Sequence, residues 1–105
     1  MPNHDFTFHI DAKPLADTLL STNDFVIGSN YVEILGRRHD FPDAQCLNDV
    51  CTYTVSADED RVVFWVDKEL AGTAPITRMI NLHSGKKIEG SGVVNTWYRA
   101  GVAGP

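Results

Sequence analysis

The sequence predicts an α+β fold: one N-terminal helix packed on a curved, mostly antiparallel sheet of five to six strands. Three observations predict it. Apolar spacing turns helical once, between residues 14 and 20. Short runs of period-two alternation fill most of the remaining chain. Gly, Asn, Ser and Asp separate those runs closely, and short connections favour antiparallel pairing. A small β-barrel with the helix as its cap is the alternative. The 105 residues suit one domain spanning 1–105, with the tail 100–105 expected to fray.

The first strand is expected where Phe6, Phe8 and Ile10 alternate with Thr7, His9 and Asp11. Leu15, Ala16, Leu19 and Leu20 then sit at helical spacing, with Pro14 near the first turn, and the helix should end near residues 21–23. Phe25–Ile27 and Tyr31–Leu35 read as strands around a Gly28-Ser29-Asn30 turn. Cys51, Tyr53 and Val55 alternate with Thr52, Thr54 and Ser56, and a polar connection at 57–60 leads to a strand over 61–67. Gly72 and Pro75 mark residues 68–75 as a connection. Ile76–His83, Lys87–Glu89 and Val93–Arg99 read as the last strands, with Ser84-Gly85-Lys86 as a hairpin turn.

In the 61–67 strand Val62, Phe64 and Val66 take one face, and Val63 and Trp65 the other. A strand apolar on both faces is covered twice, and one helix covers only one of them. The second face is therefore expected to meet a protein partner, a second copy of the chain, or long connections.

The stretch GRRHDFPDAQCLNDVC, residues 36–51, holds the densest set of reactive residues. It reads as an exposed polar loop through Arg37, Arg38, His39 and Asp40, then a short helix over 42–50 with Pro42 in its first turn. On such a helix Cys46 and Cys51 stand about 140° apart, which suits neither a disulfide nor a shared zinc ion. Two structural thiols, no disulfide and no metal are the expectation. Arg37 and Arg38 are the candidate anion-binding residues of the loop.

No cofactor motif is present. Gly85-Lys86-Lys87 lacks the glycine and hydroxyl of a phosphate loop, and Gly90-Ser91-Gly92 lacks the third glycine of a dinucleotide fingerprint. No Gly-x-Ser-x-Gly elbow occurs. No 18-residue apolar run could span a membrane as a helix, and the first residues carry no basic-then-apolar leader. A cytoplasmic location with reduced thiols is the resulting expectation.

The net charge of −5 is unevenly spread. Residues 1–75 carry a net −8 and residues 76–105 a net +3, with Asp58, Glu59 and Asp60 in the sharpest acidic run. The leading functional expectation is a small acidic, non-enzymatic module that binds a protein, inhibitor- or immunity-like in profile, or pairs with itself as a homodimer. Asp58, Glu59, Asp60, Val63 and Trp65 would form its surface. A second reading is a small-molecule binder or enzyme with a pocket between helix and sheet, for which His9, His39, Asp40 and Tyr53 are the candidate catalytic groups. A third is single-stranded nucleic-acid binding through His83, Lys86, Lys87, Trp97, Tyr98 and Arg99, which the overall acidity opposes.

Overall fold

The computed structural model describes residues 6–22, 25–34, 36–57, 61–75, 87–90 and 93–100, and for Phe6, Ala57 and residues 87–100 it describes the backbone path alone. Among the described residues the regular structure is ten strands: β1 Phe6–Ala12, β2 Thr18–Thr22, β3 Phe25–Gly28, β4 Tyr31–Ile34, β5 Arg37–Asp40, β6 Cys51–Ala57, β7 Arg61–Val66, β8 Glu69–Pro75, β9 Lys87–Gly90 and β10 Val93–Ala100. They form two antiparallel five-stranded sheets, β10-β1-β6-β7-β8 and β5-β4-β3-β2-β9. The expected N-terminal helix is absent, and no helix occurs among the described residues. Among the described residues the fold is all-β, which corrects both the expected α+β class and the helix-capped barrel.

The misread segment has a physical explanation. Leu15 is 71% exposed, in a loop that follows Pro14, so the helical spacing of its leucines never becomes an apolar stripe. The chain becomes extended at Thr18 and pairs with β3 and β9. A register shift between Thr18 and Leu20 breaks the strict alternation, and both Leu19 and Leu20 join the core. Two adjacent buried leucines, which looked like one face of a helix, are the mark of a bulged strand.

The core lies between the sheets. Phe8 and Ile10 of β1, Tyr53 and Val55 of β6, and Val62, Phe64 and Val66 of β7 supply one side. Leu20, Phe25, Ile27, Val32 and Ile34 supply the other. Phe8 and Phe25 meet edge-to-face, ring centres 4.8 Å apart, in the geometry aromatic quadrupoles favour.

The opposite face of the first sheet is polar and buried. Cross-strand partners Thr7 and Ser56, His9 and Thr54, and Asp11 and Thr52 all join through their side chains across β1 and β6. Val63 is buried and Trp65 half-buried beside them on β7, in register with Ser56 and Thr54. The face that the sequence presented as an apolar surplus is thus largely a ladder of hydroxyls and one histidine.

Two further segments differ from expectation. Residues 37–40 are not a loop but the edge strand β5, paired with β4 from Tyr31↔Asp40 to Ile34↔Arg37. Residues 69–75 are not a connection but the edge strand β8, paired with β7 across a register shift at Ala71. The expected strand over 76–83, the 84–86 turn and the 101–105 tail lie outside the described residues.

Gly28 closes the tight approach between β2, β3 and β4. A Cβ there would come within 2.1 Å of the Tyr31 ring and 2.7 Å of the Asp17 carbonyl oxygen. Gly28→Ala is expected to lower unfolding stability by about 1–3 kcal/mol, the usual cost of overpacking, read from the urea midpoint.

A candidate binding groove

The chain crosses from β5 to β6 through residues 41–50, and the crossing is pinned at both ends. Phe41 donates its amide to the Asn30 carbonyl at 2.8 Å, and its ring is buried against Phe64, centres 5.3 Å apart. Tyr53 lies on the other side of Phe64, near-parallel at 6.2 Å. The Phe41 ring also lies over Gly72 of β8, where a Cβ would come within 2.7 Å of it. Pro42 opens a turn in which the Ala44 amide donates to the Phe41 carbonyl at 3.0 Å. No helix follows.

A disulfide joins Cys46 to Cys51 with Cα atoms 5.9 Å apart, and no free cysteine remains. The expectation of two structural thiols fails because it rested on a helix over 42–50. In the irregular chain that is actually present, the two Cβ atoms are not held on different helix faces, and the distance falls within reach of a bridge. The expected reduced state of the two thiols is corrected with it.

Asp67, in the turn between β7 and β8 at φ 55°, fixes the far end of the crossing. Its carboxylate accepts from the Thr52 amide at 2.9 Å and from the Asn48 side-chain amide at 3.2 Å. Its own amide donates to the Thr52 carbonyl at 2.6 Å.

Held in this way, residues 43–47 stand off from β8 and leave a groove of about 200 Å³. Asp43, Ala44, Gln45 and Leu47 form one wall, and Glu69, Leu70 and Ala71 the other. Buried Val66 is its floor. Leu47 and Leu70 are 79% and 58% exposed, two large apolar side chains facing solvent at one site. The volume is below the 300–1,000 Å³ typical of small-molecule pockets and suits one or two side chains. Asp43 and Glu69 give the rim a negative sign.

The sequence-derived candidates do not assemble. His9 is buried on the polar face of the first sheet, with Nδ1 2.9 Å from Thr54 Oγ1. Tyr53 is on the opposite, inner face, and His39 and Asp40 are on β5 of the other sheet. None of the four lines the groove. Asp40 is occupied by Arg38, Nε to Oδ1 2.8 Å, and the same guanidinium lies 3.9 Å over the Tyr31 ring. The hydrogen bond to Asp40 raises the Arg38 pKa, so the guanidinium stays charged. Arg37 is exposed beside it.

Asp58, Glu59, Asp60, His83 and Lys86 lie outside the described residues. Lys87 is on β9 of one sheet, whereas Trp97, Tyr98 and Arg99 are on β10 of the other, in register with His9, Phe8 and Thr7. The residues of the nucleic-acid reading are therefore divided between two sheets. Among the described residues no three His, Cys, Asp or Glu side chains cluster closely enough to hold a metal ion.

Comparison with protein-family models and with curated protein sequences gives no match.

Two expectations follow from this geometry. Replacing both cysteines by serine should cost about 2 kcal/mol, the loop entropy that so short a ring restores to the unfolded chain, measured by urea unfolding. Tyr53 presents the second. Its hydroxyl is buried without a hydrogen-bond partner, and burial, then the Asp67 charge, raises its pKa above the ordinary 10.0. A raised folded-state value means that the neutral phenol's contribution is complete below the unfolded value and lost as pH climbs through the folded one. Tyr53→Phe should therefore remove part of the alkaline destabilisation that sets in above the ordinary phenol value of 10.0, measured by urea unfolding across that range. At neutral pH the same variant should be as stable as the parent, or up to about 1 kcal/mol more so.

Proposed function

We propose that this chain is a non-enzymatic binding module that engages a protein partner at the groove between residues 43–47 and β8. The observation that carries the reading is the pair Leu47 and Leu70, both exposed, at the mouth of a cleft whose rim bears Asp43 and Glu69. Exposed leucines at a concave acidic site fit an apolar anchor flanked by Lys or Arg, with the anchor's burial giving affinity and the charges giving approach rate and selectivity. The chain's net charge of −5 acts in the same direction over longer range. The acidic rim disfavours a second copy of the same groove as the occupant, since Asp43 and Glu69 would face their own kind.

The small volume argues against a small-molecule site here, and the scatter of His9, His39, Asp40 and Tyr53 removes the groups that the enzymatic reading relied on. The disulfide supports an oxidising compartment as the place of action.

A random dodecapeptide library displayed on phage, panned on the disulfide-bonded chain with a Leu47→Asp/Leu70→Asp variant as the counter-target, tests this. Both leucines are exposed, so the variant should keep the parent's urea midpoint. Selected peptides should combine an apolar anchor with Lys or Arg and lose binding to the variant. Asp43→Lys/Glu69→Lys should weaken them roughly two- to fivefold and flatten the salt dependence, as expected for rim charges. Peptides that bind parent and variant equally, or that carry no basic preference, would overturn the reading.

A further inference from the structure

We infer that the partner segment binds as an added β-strand along the outer edge of β8, antiparallel or parallel to it, with one apolar side chain seated in the groove. This rests on the groove being a protein-binding site and specifies how the partner is held. β8 closes its sheet, and among the described residues no strand lies on its outer side. Alternate backbone N–H and C=O groups of an edge strand point away from the sheet and can pair with an incoming chain.

Edges that must stay unpaired are commonly guarded by charge. The edge β5 has this protection, with the sequence Arg37-Arg38-His39-Asp40. The middle of β8 lacks it: Leu70, Ala71, Gly72, Thr73 and Ala74 contain no charged residue. Its guards are confined to the ends, Glu69 at one and Pro75 at the other. The small residues also leave room for a neighbouring backbone, since Ala71 and Ala74 direct what little side chain they have toward the core cluster.

The register shift at Ala71 fixes where side-chain recognition occurs. Beyond it, Gly72↔Phe64, Thr73↔Val63 and Ala74↔Val62 continue a regular ladder that an added strand can extend. Before it, Glu69, Leu70 and Ala71 form the groove wall. A strand paired along residues 72–74 would therefore run directly into the cleft between Leu70 and Leu47. There one apolar side chain fills the cleft over Val66, and a neighbouring Lys or Arg meets Glu69 or Asp43. Main-chain pairing supplies affinity without sequence demands, and the cleft and rim supply selectivity. The partner class is an extended, apolar and basic peptide segment.

The test uses the tightest dodecapeptide from the panning, resynthesised with a single backbone N-methyl at each position in turn, and binding to the disulfide-bonded chain by fluorescence anisotropy. Strand addition predicts an alternating pattern. Methyls at every second position should weaken binding about tenfold or more, because each removes a donor and leaves its carbonyl partner unpaired, while intervening methyls should have little effect. Thr73→Pro in the protein should weaken the unmodified peptide to a similar degree if the Thr73 amide points outward; Ala74→Pro covers the other register. A peptide that tolerates N-methylation throughout, yet still requires Leu47 and Leu70, would overturn strand addition and leave the groove reading standing. A peptide insensitive to both would overturn the two together.

Discussion

The architecture depends most on the seating of Phe41 against Phe64 beneath the backbone of β8. Each sheet must bury one face, and the chain must cross between the sheets without opening the core or leaving main-chain groups unpaired in it. At the β5–β6 crossing Phe41 meets both demands: its amide is satisfied by Asn30 and its ring completes the Tyr53–Phe64 stack. Gly72 is the counterpart, because any side chain there would occupy the space of the ring. From Phe41 the chain continues through residues 43–47, which face Glu69, Leu70 and Ala71 at the start of β8 across the groove. The Cys46–Cys51 bridge and the Asp67 carboxylate then hold that passage at a set distance from the strand. The groove is a consequence of how the core is closed.

The first sheet is built asymmetrically. Its inner face is aliphatic and aromatic, whereas the other carries Thr7, His9, Thr54 and Ser56, all buried. Burying hydroxyls without partners would be costly, and the cross-strand pairing of Thr7 with Ser56 and of His9 with Thr54 offsets that cost. Such pairs also resist a one-residue slip between β1 and β6, which would set hydroxyls against Phe8 and Ile10. The Tyr53 hydroxyl is the exception, held for the sake of its ring between neighbours while its oxygen makes no hydrogen bond.

Much of the strand pattern was legible in the sequence because period-two alternation survives wherever one face is polar. The strands β1 and β6 follow from that alternation, whereas β3, β4 and β7 follow from short apolar runs, and β9 and β10 from the glycine breaks around them. What misled was local coincidence. Leu15, Leu19 and Leu20 have helical spacing, but tertiary pairing with β3 and β9 overrides it and a bulge admits both later leucines to the core. Gly72 and Pro75 read as breakers, yet both suit an edge strand, one through close approach and the other at its end. The disulfide was hidden by the assumption of a helix over 42–50. The groove was not legible at all. Leu47 and Leu70 are unremarkable in their own segments and become a site only when the crossing brings them to one place. An isolated Leu among Gln45, Cys46, Asn48 and Asp49 was the one signal available, an apolar residue with no periodic partner.

Nuclear magnetic resonance of the isotope-labelled chain with a panned peptide bound would place the peptide backbone relative to β8. Strand addition at β8 gives a continuous series of interchain proton contacts between the peptide backbone and residues 72–74, joined by side-chain contacts to Leu47, Val66 and Leu70. Contacts confined to the β5 edge, to the polar face around His9, or to β10 would contradict it.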